Sequence, residues 1–150
     1  MTSAERRRWV VDASVAFGWF AEVAGSEDAV ALLEGRPPSE LIAPDLVLVE
    51  LLNAGWKAAR MGAITEAQFA AIAELAPTLF SELVPASTLL SAAQRWCLQL
   101  DHPAYDCLYL ALAEQRSAVL LTQDQRLLRK VQSVPEAVGL VRSLERRESA

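Results

Sequence analysis

The chain has 150 residues, of which 53% are hydrophobic and 22% charged, values that exclude a disordered protein and fit one globular domain over residues 1–150. Its formal net charge of −5 at pH 7 argues against nucleic-acid binding through a general basic excess. The two cysteines, Cys97 and Cys107, have no C-x-x-C spacing, so we expect buried, reduced thiols and no thiolate metal site.

The N-terminal segment resembles a secretory signal at first sight, because the basic run at residues 6–8 precedes apolar residues. Asp12 lies in the middle of that apolar stretch, where a charge opposes membrane insertion. No other uncharged apolar run reaches membrane-spanning length. We therefore expect a cytoplasmic protein that does not enter a membrane.

Short apolar runs typical of buried strands alternate with helical patterns along the chain. The predicted strands are residues 8–12, 41–43, 83–84, 118–122 and 139–141. The predicted helices are residues 14–20, 27–33, 45–61, 65–77, 87–100, 105–115 and 124–131, with caps expected at Ser14, Asp45, Thr65 and Asp101. This alternation predicts an α/β protein with a parallel sheet, helices on both faces and a site at the carboxyl ends of the strands.

Four carboxylates stand at positions that suggest a shared site. Asp12 ends the first predicted strand and Asp124 follows the fourth, whereas Glu50 and Asp106 lie in strongly apolar helices. Asp124 could simply cap its helix, and Asp106 could simply interact with a helix dipole. Asp12 and Glu50 are predicted not to be caps, and a buried unpaired carboxylate costs several kcal/mol or takes up a proton.

A bound metal ion would resolve this cost. Ligands that are all oxygen favour a hard cation, Mg²⁺ or Mn²⁺, which can polarise a phosphoryl oxygen and activate a water molecule. Whether one or two ions bind is left open by the sequence.

The segments around these residues resemble the PIN-domain family, and especially the VapC-type toxins of bacterial toxin–antitoxin pairs. The matching segments are VVDASV around Asp12, PDLVLVELLNA around Glu50, YDCLYLALA around Asp106 and LLTQDQRL around Asp124. Each segment alone is weak evidence for the family, but the ordered set of four is fairly specific. Together the four segments span nearly the whole chain. The resemblance implies a Rossmann-like, three-layer α/β/α sandwich with a short, mostly parallel sheet.

The function implied by the resemblance is cleavage of RNA with Mg²⁺ or Mn²⁺ held by Asp12, Glu50, Asp106 and Asp124. Ser14 and Thr122 match small hydroxyl residues of the family and would orient the carboxylates or contact phosphate, unless they only cap local structure. Asn53 lies one turn after Glu50 and could hold a carboxylate or a water, or be merely solvated.

The resemblance also implies a homodimer and a cognate antitoxin that inserts a helix over the site. The aromatic residues that could line such a groove, if they are not ordinary core, are Phe17, Trp19, Phe20 and Trp56. The sole histidine, His102, is expected to pack at a helix break rather than act as a base.

Two other classes remain open. Phosphoaspartate enzymes also place an aspartate after the first strand, but the position two residues on is Ser14 here rather than a second aspartate. A non-catalytic PIN-like binding module would typically have lost a carboxylate, and a solitary nuclease would have no antitoxin. The identity of the target RNA is not written in the sequence.

Overall fold

Parallel strands form the centre of the protein, and the computed structural model describes residues 7–35 and 39–144. The strands of this part are β1 (Arg8–Val11), β2 (Glu40–Pro44), β3 (Glu82–Val84), β4 (Val119–Thr122) and β5 (Val141–Ser143). Their order in the sheet is β3-β2-β1-β4-β5, and every neighbouring pair is parallel. Val10 at the centre pairs with Ile42 on one side and Leu120 on the other.

Helices connect these strands. They are α1 (Ala13–Ala16), α2 (Ser26–Glu34), α3 (Leu46–Arg60), α4 (Glu66–Leu79), α5 (Leu90–Leu100), α6 (Ala104–Arg116), α7 (Gln125–Val131) and α8 (Pro135–Val138), with short 3₁₀ helices at Phe17–Trp19 and Ala86–Leu89. The helix α6 packs on β1, β2 and β4, and its residues 107–113 are all buried. It is therefore the main helical element of the core.

The strand order explains how both faces of the sheet are covered. The chain first moves outward from β1 to β3 and then returns to β4 and β5 on the other side of β1. Because crossovers between parallel strands are right-handed, helices before β3 and helices after it cover opposite faces. The prediction of a parallel sheet between two helical layers is confirmed.

The direction of winding changes between β1 and β4, which are neighbours. In open parallel sheets such a reversal leaves a crevice at the carboxyl ends of the two strands. Asp12 follows β1 directly, and Thr122 ends β4 two residues before Asp124. The fold thus brings these three residues to one crevice.

Two of the predicted helix caps are wrong. Asp12, not Ser14, is the N-cap of α1, since its carboxylate accepts a hydrogen bond from the Val15 N–H, and the expectation that Asp12 is no cap therefore fails. Asp101 is the C-cap of α5, in the left-handed conformation with φ 50°, and Pro103 takes the N-cap position of α6. Asparagine and aspartate tolerate this backbone region better than most residues, which explains the site of the break.

Other helix starts agree better with the predictions. Thr65 caps α4 in a reciprocal pair with Gln68, as expected. Asp45 occupies the N-cap position of α3, but its carboxylate accepts from the Ala86 N–H and so connects α3 to the segment after β3. The helix α4 continues past Pro77 to Leu79.

The C-terminal part contains two smaller differences. The helix α8 was not predicted, because it is only one turn long, and β5 lies slightly later in the chain than residues 139–141. Cys97 and Cys107 are both free thiols; Cys107 is buried, but Cys97 is only half-buried. Within residues 7–35 and 39–144, no helix is long and apolar enough to span a membrane.

Candidate metal and active site

Asp12 is held at the carboxyl end of β1 by three hydrogen bonds. Its Oδ1 accepts from the Ser14 hydroxyl at 2.6 Å and from the Val15 N–H at 3.1 Å. Its Oδ2 accepts from the hydroxyl of Thr122, which is itself fully buried at the end of β4. The carboxylate is therefore fixed between the two central strands.

The environment of Asp12 opposes its negative charge. The residue is only 5% exposed, and burial raises the pKa of its carboxyl from 3.8 to about 6 although the three hydrogen bonds lower it. No lysine or arginine within residues 7–35 and 39–144 forms an ion pair with it. A bound cation would stabilise the ionised form of such a buried carboxylate, which has no cationic partner.

Glu50 is positioned by a contact between two helices. It lies in the second turn of α3 and is half-buried, and its Oε1 accepts a hydrogen bond from the hydroxyl of the buried Tyr109 on α6. Burial raises the pKa of Glu50, the bond from Tyr109 lowers it, and the charge of Asp106 raises it. The pKa of the Tyr109 hydroxyl is also raised, by burial and by the negative charge of Glu50.

Asp106 and Asp124 meet at the start of their helices, together with His102. Asp106 lies in the first turn of α6, and its Oδ2 is 2.5 Å from Nε2 of His102. Asp124 is the N-cap of α7, where its Oδ1 accepts from the Leu127 N–H at 3.1 Å. One ligand atom from each of the three residues can be chosen so that all lie within 4.8 Å of one another.

Asp106 connects the four carboxylates electrostatically. Burial raises its pKa first, the hydrogen bond with His102 lowers it, and the charge of Asp124 raises it again. The charge of Asp106 in turn raises the pKa values of Asp12 and Glu50. Asp106 and Asp124 are thus directly adjacent, whereas Asp12 and Glu50 are linked to them through the shared repulsion.

Hydroxyl groups tie the loop after β4 to the loop after β1. Besides bonding Asp12, the Ser14 hydroxyl accepts from the Gln123 N–H at 3.1 Å. Thr122 likewise bonds Asp12 and accepts from the Asp124 N–H at 3.0 Å. These two side chains therefore set the position of Asp12 relative to Asp124.

A cavity of about 330 Å³ opens beside Glu50. It is lined by Ser14, Phe17, Glu50, Asn53 and Lys57, with Ala13 and Ala54. Of these residues, Glu50, Asn53 and Lys57 stand at i, i+3 and i+7 of α3, on one face of the helix. Asn53 is exposed, lines the cavity and makes no hydrogen bond to a carboxylate in the described part of the chain.

The aromatic residues predicted to line a groove have different environments. Phe20 is buried in the core, and Trp19 packs on Phe80 with ring centroids 5.2 Å apart while its Nε1 donates to the Ala29 carbonyl. Phe17 is half-buried at the cavity, whereas Trp56 is 48% exposed on α3. Core packing therefore accounts for Phe20 and for most of Trp19.

Three residues at the site were not recognised from the sequence as site residues. His102 lies at the helix break as predicted, but it also contacts Asp106, and the i, i+4 spacing was the available signal. Tyr109 follows Asp106 by one helical turn, and Lys57 follows Glu50 by two. Neither spacing alone shows that α3 and α6 meet.

The donor set fits a hard divalent cation. Carboxylate oxygens dominate it, and the buried Asp12 is stabilised by no protein cation among the described residues. Mg²⁺ and Mn²⁺ are the ions that such oxygen donors select. Among the described residues, His102, Asp106 and Asp124 have ligand atoms close enough together to hold one ion, whereas Asp12 and Glu50 remain predicted ligands.

Comparisons with known proteins agree on one family. Residues 9–133 match the family model described as PIN domain. Ribonuclease VapC3 of Pyrobaculum aerophilum is 32% identical over 123 residues, which cover 81% of this chain and 92% of that protein.

Two solved structures have a similar fold. The crystal structure of PAE2754 from Pyrobaculum aerophilum has a TM-score of 0.62 at 24% identity and covers 93% of this chain and 85% of its own. The crystal structure of VapBC2 from Rickettsia felis, bound to a DNA fragment from their promoter, has a TM-score of 0.59 at 11% identity, covering 91% and 98%. At these identities the likeness concerns the fold alone.

Proposed function

The chain belongs to the PIN domain family, and we propose that it is an endoribonuclease that hydrolyses RNA phosphodiester bonds with Mg²⁺ or Mn²⁺. The observation that carries the proposal is the set of four carboxylates coupled through Asp106 at the switch point of the sheet. The similarity to a protein named ribonuclease VapC3 supports RNA as the substrate.

In this proposal Asp12, Glu50, Asp106 and Asp124 hold the metal. When bound, a divalent cation polarises a phosphoryl oxygen and lowers the pKa of a bound water, which supplies the nucleophile. The buried Asp12 contributes a carboxylate that no protein cation of the described chain neutralises. Loss of its proton above a pH of about 6 makes it available as a ligand.

Other side chains position these ligands and the substrate. Ser14 and Thr122 fix the orientation of Asp12, and Tyr109 fixes that of Glu50. Lys57 places a positive charge on the cavity beside Glu50, where it contacts a phosphate of the RNA. Asn53, on the same face, offers hydrogen bonds to the ribose or a base.

We further propose that the protein is the toxin of a type II toxin–antitoxin pair, that it acts in the cytoplasm and that it forms a homodimer. One similar protein is named ribonuclease VapC3, and one structure with a similar fold is that of VapBC2 bound to a DNA fragment from their promoter. A basic side chain of an antitoxin would neutralise the cluster of carboxylates. Val49, Leu52 and Trp56 on α3 are exposed and apolar, and they give the chain a surface for contacts with an antitoxin or with a second copy of the chain.

The test of the nuclease is cleavage of an end-labelled RNA by the purified chain with Mg²⁺, with Mn²⁺ or with a chelator. Glu50→Gln should reduce the cleavage rate by about 100-fold or more, as expected for a group that stabilises transition-state charge. The matched control is Glu66→Gln, because Glu66 is an exposed glutamate in the first turn of α4, outside the site. Cleavage that survives the chelator, or equal loss in both variants, would refute the proposed site.

A separate experiment addresses the partner. Co-expression with the small protein encoded beside this chain should suppress growth arrest and yield a complex on purification. Cleavage by the purified chain together with neither suppression nor co-purification would favour a solitary nuclease. Absence of cleavage with every metal would instead favour a binding module with a PIN-domain fold.

A further inference from the structure

The chain holds His102 rigidly between two helices. Asp101 ends α5 in the left-handed conformation, and its N–H as well as the His102 N–H point to the Cys97 carbonyl. On the other side, Pro103 has a restricted φ and begins α6. The His102 side chain is only 2% exposed, so packing leaves the ring little freedom.

The ring of His102 makes one polar contact, and that contact determines its tautomer. Nε2 lies 2.5 Å from Asp106 Oδ2, whereas Nδ1 is buried and has no hydrogen-bond partner among the described residues. Nδ1 lacks such a partner in either tautomer, but an ionised carboxylate only accepts hydrogen bonds, so the ring nitrogen that faces Asp106 has to carry the proton. The ring therefore carries its proton on Nε2 and donates it to Asp106.

The Asp106 carboxylate has two polar neighbours among the described residues, His102 and Asp124. Its Oδ2 lies 2.5 Å from His102 Nε2, and Asp124 is close enough to interact with it directly, since ligand atoms of the three residues lie within 4.8 Å of one another. Without His102, no donor from the connection between α5 and α6 would hold the Asp106 carboxylate. Repulsion by the negative charge of Asp124 would then favour rotation of the Asp106 side chain away from the cluster. A fixed donor prevents this rotation before any metal arrives.

We propose that His102 is a positioning residue that holds the Asp106 carboxylate in its metal-binding orientation. This inference rests on the proposed function, because it assumes that Asp106 is a metal ligand. Donors that orient a ligating carboxylate raise metal affinity by about 10- to 100-fold. His102 acts through Asp106 and makes no bond to the metal itself.

The first measurement is the affinity for Mn²⁺, followed by electron paramagnetic resonance of the free ion. His102→Leu keeps an apolar side chain in the buried position but removes the donor, and it should weaken binding by about 10-fold or more. His102→Gln places an amide N–H near the position of Nε2 and should retain most of the affinity. His102→Asn is too short to reach Asp106 and should behave like the leucine variant, which keeps the test available if His102→Leu does not fold.

The control variant is Val84→Ala, which creates a cavity in β3 at the edge of the sheet and should lower the melting temperature without weakening Mn²⁺ binding. If His102→Leu binds Mn²⁺ as tightly as the wild type, or if Val84→Ala weakens binding equally, the positioning role is refuted. Equally weak binding by the glutamine and asparagine variants would also refute it.

Two further results separate this inference from its premise. A nitrogen hyperfine coupling to bound Mn²⁺ that disappears in His102→Gln would show that His102 is a ligand and would overturn the positioning role. Unchanged Mn²⁺ affinity of Asp106→Asn would instead refute the proposed metal site itself. Weak binding by Asp106→Asn together with normal binding by His102→Leu would leave the site standing and reject only the role of His102.

Discussion

Replacement of Asp12 by asparagine should stabilise the metal-free protein at neutral pH while it abolishes RNA cleavage. Asp12 is almost fully buried, and burial is the main cause that raises its pKa from 3.8 to about 6. Asparagine has nearly the same shape but no charge, so it removes the cost of burying the carboxylate.

The size and sign of the effect follow from the pKa. A carboxyl whose pKa is higher in the folded than in the unfolded protein favours folding at low pH, where it is protonated in both states. This contribution is fully present below about pH 3.8 and is lost as the pH rises through about 6. The rise in pKa corresponds to about 3 kcal/mol of unfolding free energy.

Asparagine does not recover all of this energy. Its amide N–H would replace the oxygen that accepts from the buried Thr122 hydroxyl, and the loss of that hydrogen bond costs about 1 kcal/mol. The net gain is therefore about 2 kcal/mol, or a rise in melting temperature of about 4–8 °C for a chain of this size. Below about pH 4 the gain should disappear, since wild-type Asp12 is then protonated.

The assay is thermal unfolding of wild type and Asp12→Asn, at about pH 4 and about pH 7.5, each with chelator and with Mn²⁺. Mn²⁺ should stabilise the wild type at the higher pH and the variant much less, and RNA cleavage by the same preparation of the variant should be lost. A variant that melts at or below the wild type in chelator at about pH 7.5 would contradict a costly buried charge. Equal stabilisation of both proteins by Mn²⁺ would show that Asp12 is not a ligand.

Three further predictions test separate parts of the structure. Asp124→Asn should keep the N-cap hydrogen bond from the Leu127 N–H and the melting temperature but lose Mn²⁺ affinity. Asp124→Ala should lose the Mn²⁺ affinity and the N-cap bond, and with the bond about 1 kcal/mol of stability. Similar melting temperatures of the two variants would refute the capping role. Thr65→Ala breaks the reciprocal bonds with Gln68 and should cost about 1 kcal/mol in chemical denaturation without changing cleavage. Lys57→Gln should raise KM for RNA more than it lowers kcat and reduce the salt dependence of binding by about one ion, and an unchanged salt dependence would exclude a phosphate contact.

The sheet could be predicted because its strands are short apolar runs separated by helical segments. Consecutive residues of the central strands are buried on both faces of the sheet, as in Val10 and Val11 of β1 and in Leu120 and Leu121 of β4. Each strand is therefore recognisable without knowledge of its neighbours. Adjacency of β1 and β4 was not predicted, since it depends on the return of the chain after β3.

The candidate site was predicted in its carboxylates and, through the family resemblance, in Ser14 and Thr122, whose hydroxyls donate to Asp12. An acidic residue in an apolar segment is conspicuous by itself, and this identified Asp12 and Glu50 as candidates. His102 and Tyr109 are ordinary in their local sequence, and their importance arises from contacts made after α6 packs against its neighbours. The cap at Asp12 was missed for a related reason, because one carboxylate can cap a helix and line a site at the same time.

An acidic protein that cleaves RNA must bring a polyanion to a cluster of carboxylates. In the metal-free protein burial raises the pKa values of Asp12, Glu50 and Asp106, and the negative charges of their neighbours raise them further. The ionised carboxylates would also repel phosphate. A bound divalent cation reverses both effects, because it stabilises the ionised ligands and changes the sign of the local potential. Metal binding, folding stability and RNA affinity are therefore linked, and each should depend on pH around the pKa of about 6 of Asp12. In the proposed function the net charge of −5 is no obstacle to a nuclease, since the positive charge that RNA would meet comes from the metal and from Lys57 on the cavity beside Glu50.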